Sequence, residues 1–288
     1  MIEIRRILAP NPSVYTLEGT NTWIVGRSPS IVIDPGPDLR EHLDEVAREA
    51  GEVAAVLVTH DHPDHAPGAG PFAELVGAPL HAYRLDGAKT LRGGQRIRAG
   101  STDLVAIHTP GHTSDHLAFH EPASGALFSG DAVVGRGTSF IDPPEGSLTQ
   151  YLRSLARLLD VRPRTIYPGH GPVVVDAPAK LREYLAHREE REEQVLAALA
   201  DGPRTIDELV RAIYAAYPPE VWPLASRSVL AHLLKLADEG RAERTEKGDD
   251  APWAAATPRT CERCGRRTVK GKARYCSSCS LALLQSEG

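Results

Sequence analysis

Cysteine is nearly missing from this chain of 288 residues, which has four, all within the last thirty positions. A disulfide framework and a thiol nucleophile are therefore excluded from the rest of the sequence. Long apolar runs are also missing, so no segment has the length that spans a membrane. The N-terminal sequence MIEIRRIL has no apolar stretch long enough for a signal peptide. We expect a cytoplasmic protein without membrane association.

The composition is that of a globular protein, with 41% hydrophobic and 25% charged residues. The length predicts more than one domain. The net charge of −5 hides an asymmetry, because the segment from Arg259 onward contains seven basic and two acidic residues. A basic tail on an acidic body is consistent with nucleic-acid contact through the tail.

Histidine and aspartate are concentrated in the stretch 59–68, THDHPDHAPG. It follows the apolar run Val53–Val58, which predicts a buried strand. Three imidazoles and two carboxylates make a poor core, whereas both kinds of side chain suit zinc, with iron or manganese as alternatives. The sequence therefore predicts a metal site at the end of this strand.

Three other segments offer further ligands, and each also follows a predicted strand. They are TPGHT at 109–113, SGD at 129–131 and YPGHG at 167–171. A polar side chain just past a strand and beside glycine or proline is held by a rigid element on a turning backbone. Separate loops can converge on one site in this way.

The joint pattern of these four motifs resembles the metallo-β-lactamase superfamily, with the ligand set of its glyoxalase II-like members. The resemblance implies that His60, His62 and His112 hold one metal ion, and that Asp64, His65 and His170 hold a second. Asp131 would bridge the two ions. The same resemblance suggests that His116, in the longer motif GHTSDH at 111–116, supports His112.

Such a site predicts a dinuclear zinc hydrolase that attacks with a metal-bridging hydroxide, because zinc lowers the pKa of bound water toward neutrality. Asp64 is the candidate for orienting that hydroxide and handling its proton, so Asp64 and Asp131 are the predicted catalytic residues. The chemistry accepts an electrophilic carbon or phosphorus.

The remaining pattern before residue 178 predicts an α/β fold in which two sheets are sandwiched by helices. Early strands are predicted at Ile2–Ile7, Val14–Leu17, Thr22–Val25 and Ile31–Ile33, and helices at Leu39–Ala50, Phe72–Val76 and Ser147–Asp160. The last helix has Ser147 as its cap candidate and Leu148, Leu152, Leu155 and Leu159 as its buried stripe.

Several polar residues of this region receive no chemical role. The loop that contains Asn21 and Thr22 approaches the metal site in the family, but a plain polar turn is an equal interpretation. Asp34 lies in the turn DPGP and is not assigned to chemistry. Three further histidines, His81, His108 and His120, are interpreted as ordinary strand packing.

After Pro178 the pattern changes to helices at Lys180–Ala200, Thr205–Tyr217 and Ser226–Glu239, followed by two short strands that form a wing. Within the last helix, only Arg227, His232 and Lys235 are candidates for reading bases. A helix that reads bases in a nucleic-acid groove requires more positive charge than this, so we expect a packing or substrate-orienting domain. Together with residues 5–177, this arrangement resembles the β-lactamase-like protein 2 group.

The tail departs from that group. Its two Cys-x2-Cys pairs, Cys261 with Cys264 and Cys276 with Cys279, have the spacing of a zinc ribbon and predict one structural zinc ion. We therefore predict three parts, namely a metallo-β-lactamase-fold catalytic domain at 1–177, a winged-helix-like domain at 178–257 and a zinc ribbon at 258–288.

Two substrate classes remain open. The resemblance to β-lactamase-like protein 2 implies an endoribonuclease that cleaves single-stranded RNA, and the basic tail supports it. The alternative is a hydrolase of a small thioester, lactone or ester of the glyoxalase II-like type, which the acidic body supports. A β-lactam hydrolase is not expected without an export signal, and the interval between Asp131 and His170 leaves no room for the inserted domain of β-CASP nucleases.

Overall fold

The computed structural model describes residues 2–256. Within them the chain divides into two compact units, residues 2–139 with 145–185, and residues 140–144 with 186–256. The predicted boundary at 177/178 coincides with the start of a helix, and this division falls inside the same helix. The predicted zinc ribbon, with Cys261, Cys264, Cys276 and Cys279, lies outside the described residues. No helix among the described residues combines the length and apolarity needed to cross a bilayer.

The first unit contains a six-stranded sheet in the order β1 to β6. Its strands are β1 (Ile4–Leu8), β2 (Asn21–Val25), β3 (Ser30–Ile33), β4 (Val53–Leu57), β5 (Leu80–Ala82) and β6 (Lys89–Thr90). The first three strands pair antiparallel, and β3 to β6 pair parallel. The helices α1 (Arg40–Ala50) and α2 (Ala69–Val76) bury Leu43, Val46 and Phe72 against its outer face.

The second sheet has five strands in the order β11, β10, β9, β8, β7. They are β7 (Arg96–Ala99), β8 (Thr102–His108), β9 (Leu117–Glu121), β10 (Ala126–Gly130) and β11 (Thr165–Pro168). Only β10 and β11 pair parallel in this sheet. Trp23, Ile33 and Leu57 of the first sheet share one buried cluster with Phe119 and Phe128 of the second. The predicted α/β sandwich is therefore confirmed.

Two predictions about this unit were wrong. Val14–Leu17 is not a strand, because the Ser13 side chain accepts hydrogen bonds from the amides of Tyr15 and Thr16 and closes a turn. The third helix, α3 (Leu148–Asp160), buries Tyr151, Ser154 and Leu158 beside the predicted Leu148 and Leu155, so its buried stripe is rotated. Ser147 caps this helix as predicted, with its side chain accepting from the Gln150 amide.

The second unit has the predicted winged-helix pattern. Its elements are the latter part of α4 (Ala177–Leu199), α5 (Ile206–Ile213), α6 (Trp222–Asp238), β12 (Ala242–Arg244) and β13 (Trp253–Ala255). Thr205 caps α5, and it exchanges hydrogen bonds with Glu208 as a capping box. Val195, Leu209, Val229, Leu233 and Trp253 lie in one buried cluster. The two short strands pair antiparallel as the wing.

The polar residues of α6 are engaged within this unit. Lys235 donates to Glu192 and Glu239, and Arg227 donates to Asp142 and to the carbonyl of Pro143. His232 is buried. The three side chains that a recognition helix would offer are thus occupied or enclosed, which agrees with a packing or orienting role.

Candidate metal centre

The predicted metal ligands all lie just beyond the ends of strands in the first unit. The loop of His60, His62, Asp64 and His65 follows β4, His112 follows β8, Asp131 follows β10, and His170 follows β11. β10 and β11 are parallel neighbours, so Asp131 and His170 leave the sheet at the same edge. The topology therefore brings the four separated motifs together.

His60, His62 and His112 form the first group of ligands. His60 Nε2 lies 3.0 Å from His62 Nδ1, and His112 Nε2 lies 3.1 Å from the same nitrogen. His62 Nε2 lies 3.8 Å from Glu145, at the exposed rim.

Asp64, His65 and His170 form the second group. His170 Nε2 lies 3.1 Å from Asp64 Oδ2 and 3.2 Å from His65 Nε2. Both imidazoles are buried, so their ring nitrogens meet in a site largely shielded from solvent.

Asp131 stands between the two groups. Its Oδ2 lies 3.7 Å from His112 Nε2, whereas its Oδ1 lies 3.3 Å from His170 Nε2 and 3.5 Å from His65 Nε2. Oδ1 is buried and makes no hydrogen bond within the described residues. One carboxylate oxygen thus faces each group, which is the arrangement that a bridging ligand requires.

The donor set fits two zinc ions. Ligand atoms on a tetrahedral zinc ion lie about 3.3 Å apart, given bonds of about 2.0–2.1 Å. The nitrogen and oxygen atoms of each group are separated by similar distances, and all are ligand types that zinc accepts. A buried carboxylate oxygen without a hydrogen bond costs free energy unless a cation completes it.

The electrostatics of the second group show the same need for positive charge. Burial disfavours the protonated form of His170, but the nearby carboxylates of Asp131 and Asp64 outweigh it and raise its pKa to about 9. The same balance between burial and the carboxylates of Asp131 and Asp34 holds the pKa of His65 well above its ordinary value. Despite burial, the neighbouring histidines keep the pKa values of Asp64 and Asp131 below their ordinary range. A bound metal cation would supply the positive charge that these buried carboxylates favour.

Asp34 supports His65, and the sequence interpretation of it as a mere turn residue was wrong. Its Oδ2 lies 2.9 Å from His65 Nδ1 and accepts from Thr59 Oγ1 at 2.8 Å, while its Oδ1 accepts from the Thr59 amide at 2.7 Å. A carboxylate on Nδ1 fixes the ring so that Nε2 faces the ligand cluster. The sequence feature that could have identified Asp34 is its position directly after β3, the strand that pairs with the one preceding the metal loop.

His116 is placed to support Asp131. Its Nε2 accepts from the Asp131 amide at 3.1 Å, and its Nδ1 lies 2.8 Å from Thr109 Oγ1. Burial, together with the nearby His112, holds the pKa of His116 well below its ordinary value, so the ring is neutral and Nε2 accepts. The sequence assigned it to His112, whose ring centroid is 6.2 Å away.

The loop before β2 holds the His170 loop from the other side. The side-chain Nδ2 of Asn21 donates to the carbonyls of Pro168 and Gly171, each at 2.9 Å, and His170 Nδ1 lies 3.2 Å from the Gly19 carbonyl. Thr22 donates instead to the Asp34 carbonyl at 2.7 Å. Of the two interpretations of this loop, the close approach to the site is therefore correct.

The three histidines interpreted as strand packing do behave as strand residues. His81 lies within β5, and His120 is buried within β9. His108 ends β8, with its ring stacked on Tyr83. Among the described residues, none of the three belongs to a cluster able to hold a metal ion.

Comparison with known proteins agrees with this geometry. Residues 15–97 and 79–170 match the family model of the metallo-beta-lactamase superfamily, and residues 205–253 match the beta-lactamase associated winged helix domain. The chain therefore belongs to the metallo-β-lactamase superfamily and is a hydrolase of that class with an associated winged helix.

Particular relatives are similar over most of the chain. A beta-lactamase-like protein 2 homolog of Drosophila melanogaster is 34% identical over 276 residues, covering 85% of this chain and 91% of the relative. An atrochrysone carboxyl ACP thioesterase of Aspergillus chevalieri is 33% identical over 266 residues, covering 86% of this chain and 85% of the relative. The crystal structure of a metallo-beta-lactamase family protein from Thermus thermophilus matches with a TM-score of 0.71 and 25% identity, covering 88% of this chain and 98% of that chain.

Proposed function

We propose that the protein is a dinuclear zinc hydrolase. His60, His62 and His112 would hold one ion, Asp64, His65 and His170 would hold the other, and Asp131 would serve both. The observation that carries this assignment is the position of Asp131, whose two oxygens face the two groups of ligands. Iron or manganese could replace zinc, because the same donor types bind them.

When bound, the ions supply a hydroxide nucleophile at neutral pH and stabilise charge on a carbonyl or phosphoryl oxygen. The chain supplies the orientation. Asp34 fixes the His65 ring, His116 fixes the Asp131 amide, and Asn21 fixes the loop of His170. Asp64 is about a quarter exposed, so its carboxylate is open to an attacking water and can orient it and accept its proton at an oxygen.

Single-stranded RNA is the substrate that we propose first. Two features support it, the similarity to proteins named beta-lactamase-like protein 2 and the basic composition after Arg259. A two-metal hydrolytic site suits phosphodiester cleavage because the second cation stabilises charge on the phosphoryl oxygens. Action on RNA would take place in the cytoplasm, where we place the protein.

Hydrolysis of a small thioester is the second candidate. It is favoured by the 33% identity to a protein named as an acyl carrier protein thioesterase. The contacts of Arg227 and Lys235 in α6 add to this case. Because these side chains already bind acidic groups of their own unit, the winged helix is better suited to orienting a small substrate than to reading bases.

One experiment separates these candidates. Zinc-loaded full-length protein is incubated with labelled single-stranded RNA and, in parallel, with a panel of thioesters and lactones. The double variant Asp64→Ala/His65→Ala removes two ligands, and Asp61→Ala, an exposed aspartate of the same loop, is the matched control.

We expect the wild type and the control to cleave RNA and the double variant to lose more than about 100-fold in rate, beyond the usual cost of losing an outer partner of a ligand. Intact RNA with turnover of a thioester would move the assignment to the second candidate. Full activity in metal-free protein would overturn both.

A further inference from the structure

A basic and aromatic surface lies beside the metal loop, on the same edge of the sandwich. β4, β5 and β6 are parallel neighbours, so their carboxyl ends share one edge of the sheet. The metal loop follows β4, Tyr83 follows β5, and Arg92 follows β6 by two residues. With strands about 4.8 Å apart, Arg92 leaves the sheet about 10 Å from the strand that precedes the metal loop.

Tyr83, Arg92 and His108 form a stacked column at this edge. The rings of Tyr83 and His108 are parallel within 5°, with centroids 4.2 Å apart. The Arg92 guanidinium carbon lies 4.4 Å from the Tyr83 centroid, and its Nη1 donates to the Tyr83 carbonyl at 3.0 Å. Each face of an aromatic ring has space for only one group at these stacking distances. His108 and Arg92 therefore lie on opposite faces of Tyr83.

Helix α3 connects this column with His112. Arg157 donates to the His108 carbonyl, Ser154 Oγ donates to the Pro110 carbonyl at 2.7 Å, and the Ser147 amide donates to the Gly111 carbonyl at 2.8 Å. The helix therefore runs alongside the segment that leads from the column to the ligand. Its exposed side carries Arg153 and Arg157, which are one turn apart.

The arginines of this surface have no acidic partner within the part of the chain that the structure describes. Arg92, Arg153 and Arg157 make no ion pair there, whereas Arg96 and Arg98 nearby pair with Asp103. Three uncompensated guanidiniums beside an aromatic column attract a polyanion with planar bases.

We propose that Tyr83, Arg92, His108, Arg153 and Arg157 form a binding ridge that guides single-stranded RNA to the metal site. This inference rests on the proposed action on RNA, and it names the residues that bind the RNA. Arg153, Arg157 and Arg92 contact successive phosphates, and the edge of the stacked column receives an unpaired base. A small thioester has no chain of phosphates for these arginines to contact, so its turnover should not depend on the ridge.

The test compares charge removal on the ridge with equal charge removal elsewhere. Arg153→Gln/Arg157→Gln is the ridge variant, Arg92→Gln is a second one, and Arg40→Gln/Arg48→Gln on α1 is the matched control with exposed arginines. Each zinc-loaded full-length variant is assayed on labelled single-stranded RNA at several salt concentrations. The small diester bis(p-nitrophenyl) phosphate serves as a substrate that does not reach the ridge.

We expect the double ridge variant to raise KM for RNA by roughly tenfold, with kcat and small-diester turnover unchanged. The slope of log affinity against log salt should fall by about 1.4, because each phosphate contact on a single strand contributes about 0.7. Arg92→Gln should show half of that change in slope. Equal KM and slope in the ridge and control variants would overturn the proposal.

Failure of the proposed function is distinguishable from failure of the ridge. Binding of the same RNA to metal-free protein is measured by fluorescence anisotropy, where no cleavage occurs. RNA that binds through the ridge arginines without being cleaved by the loaded protein would refute the nuclease function and keep the ridge. RNA that is cleaved with no effect of the ridge variants would refute the ridge alone, and absence of RNA binding would refute the ridge outright.

Discussion

Single residues around the centre act mostly by holding a neighbour in place. Asp34, His116 and Asn21 touch no substrate in our proposal, yet each fixes a ligand or the loop that carries one. Such partners are commonly worth about 10- to 100-fold in metal affinity because they fix the orientation of the ligand ring. The precision of the centre therefore depends on residues beyond the ligands.

Asp34→Asn should weaken zinc binding at the second group by roughly 10- to 100-fold. The asparagine can still accept from the Thr59 amide, but its NH₂ group replaces the oxygen that faces His65 Nδ1, so the imidazole loses its acceptor. Competition with a chromogenic chelator measures the affinity. Asp38→Asn, at an exposed aspartate of the same segment, should change nothing, and equal affinities in the two variants would contradict the role of Asp34.

Gly169→Ala should displace Asp131 and lower the zinc content of the purified protein. A Cβ at this position would lie 2.6 Å from Asp131 Oδ1 and 2.8 Å from His65 Cε1, closer than real contacts allow. Elemental analysis of zinc per chain checks the result. At Gly70 in α2 an added Cβ meets no atom within 4 Å, so Gly70→Ala should keep full zinc content and stabilise the protein by about 0.5 kcal/mol. An unchanged zinc content in Gly169→Ala would contradict this prediction, because it would show that the site can accommodate the added methyl group.

Elements differ in how far their sequence pattern determined their environment. The periodicity predicted α3 and α6 as helices, but it misplaced part of the buried face of α3 and offered His232 of α6 as a base reader. His232 is in fact buried, and its two ring nitrogens make no hydrogen bond within the described residues. The face that a helix buries depends on its neighbours as well as on its own period.

The burial of His232 should make the second unit less stable in acid. Burial first, and then Arg188, Lys235, Arg191 and His187, hold its pKa well below its ordinary value. The unfolded chain takes up a proton below about pH 6.5 and the folded chain does not, so stability is complete above that pH and falls as the pH drops. The loss should approach about 1.4 kcal/mol per pH unit.

His232→Leu should remove this part of the pH dependence. Urea unfolding between about pH 5 and 8, followed by tryptophan fluorescence, measures it, since Trp222 and Trp253 both lie in the second unit. His81→Leu, at a histidine of the first unit that is only partly buried, is the control. A wild-type slope retained in His232→Leu would show that the proton is taken up elsewhere.

At the scale of the whole molecule, metal binding is proposed for two separate parts of the chain. The catalytic ligands lie between residues 60 and 170, and the four cysteines lie after residue 260. The two sites differ in chemistry, because imidazole and carboxylate leave open positions for a reaction, whereas four thiolates close a structural site.

Deletion of residues 258–288 should reduce the bound zinc from three to two ions per chain. The two Cys-x2-Cys pairs are removed together, while all catalytic ligands remain. Zinc analysis of the two purified proteins gives the numbers. RNA cleavage should show a higher KM in the shortened chain because seven basic residues are lost, and turnover of the small diester should stay constant. An unchanged zinc count would refute the ribbon.

The sequence by itself determined the class of the protein and the set of candidate metal ligands. Apolar runs that end at His, Asp, Gly and Pro are local features, so strands such as Val53–Leu57 and the motifs that follow them could be recognised from the sequence alone. The metal groups bring together the residues that the motifs named. Short, charged strands such as Lys89–Thr90 escaped notice because two residues carry no periodicity.

Only the tertiary structure decided which distant residues meet. Asp34 and His65 are 31 positions apart in the chain, and their contact depends on the pairing of β3 with β4. Tyr83 and Arg92 likewise meet because the parallel strands β5 and β6 end at the same edge of the first sheet. His108, at the end of β8 in the second sheet, stacks on Tyr83 at that edge. The order of the strands, which sets these contacts, arises from the packing of the whole unit and cannot be read from the sequence of any one strand.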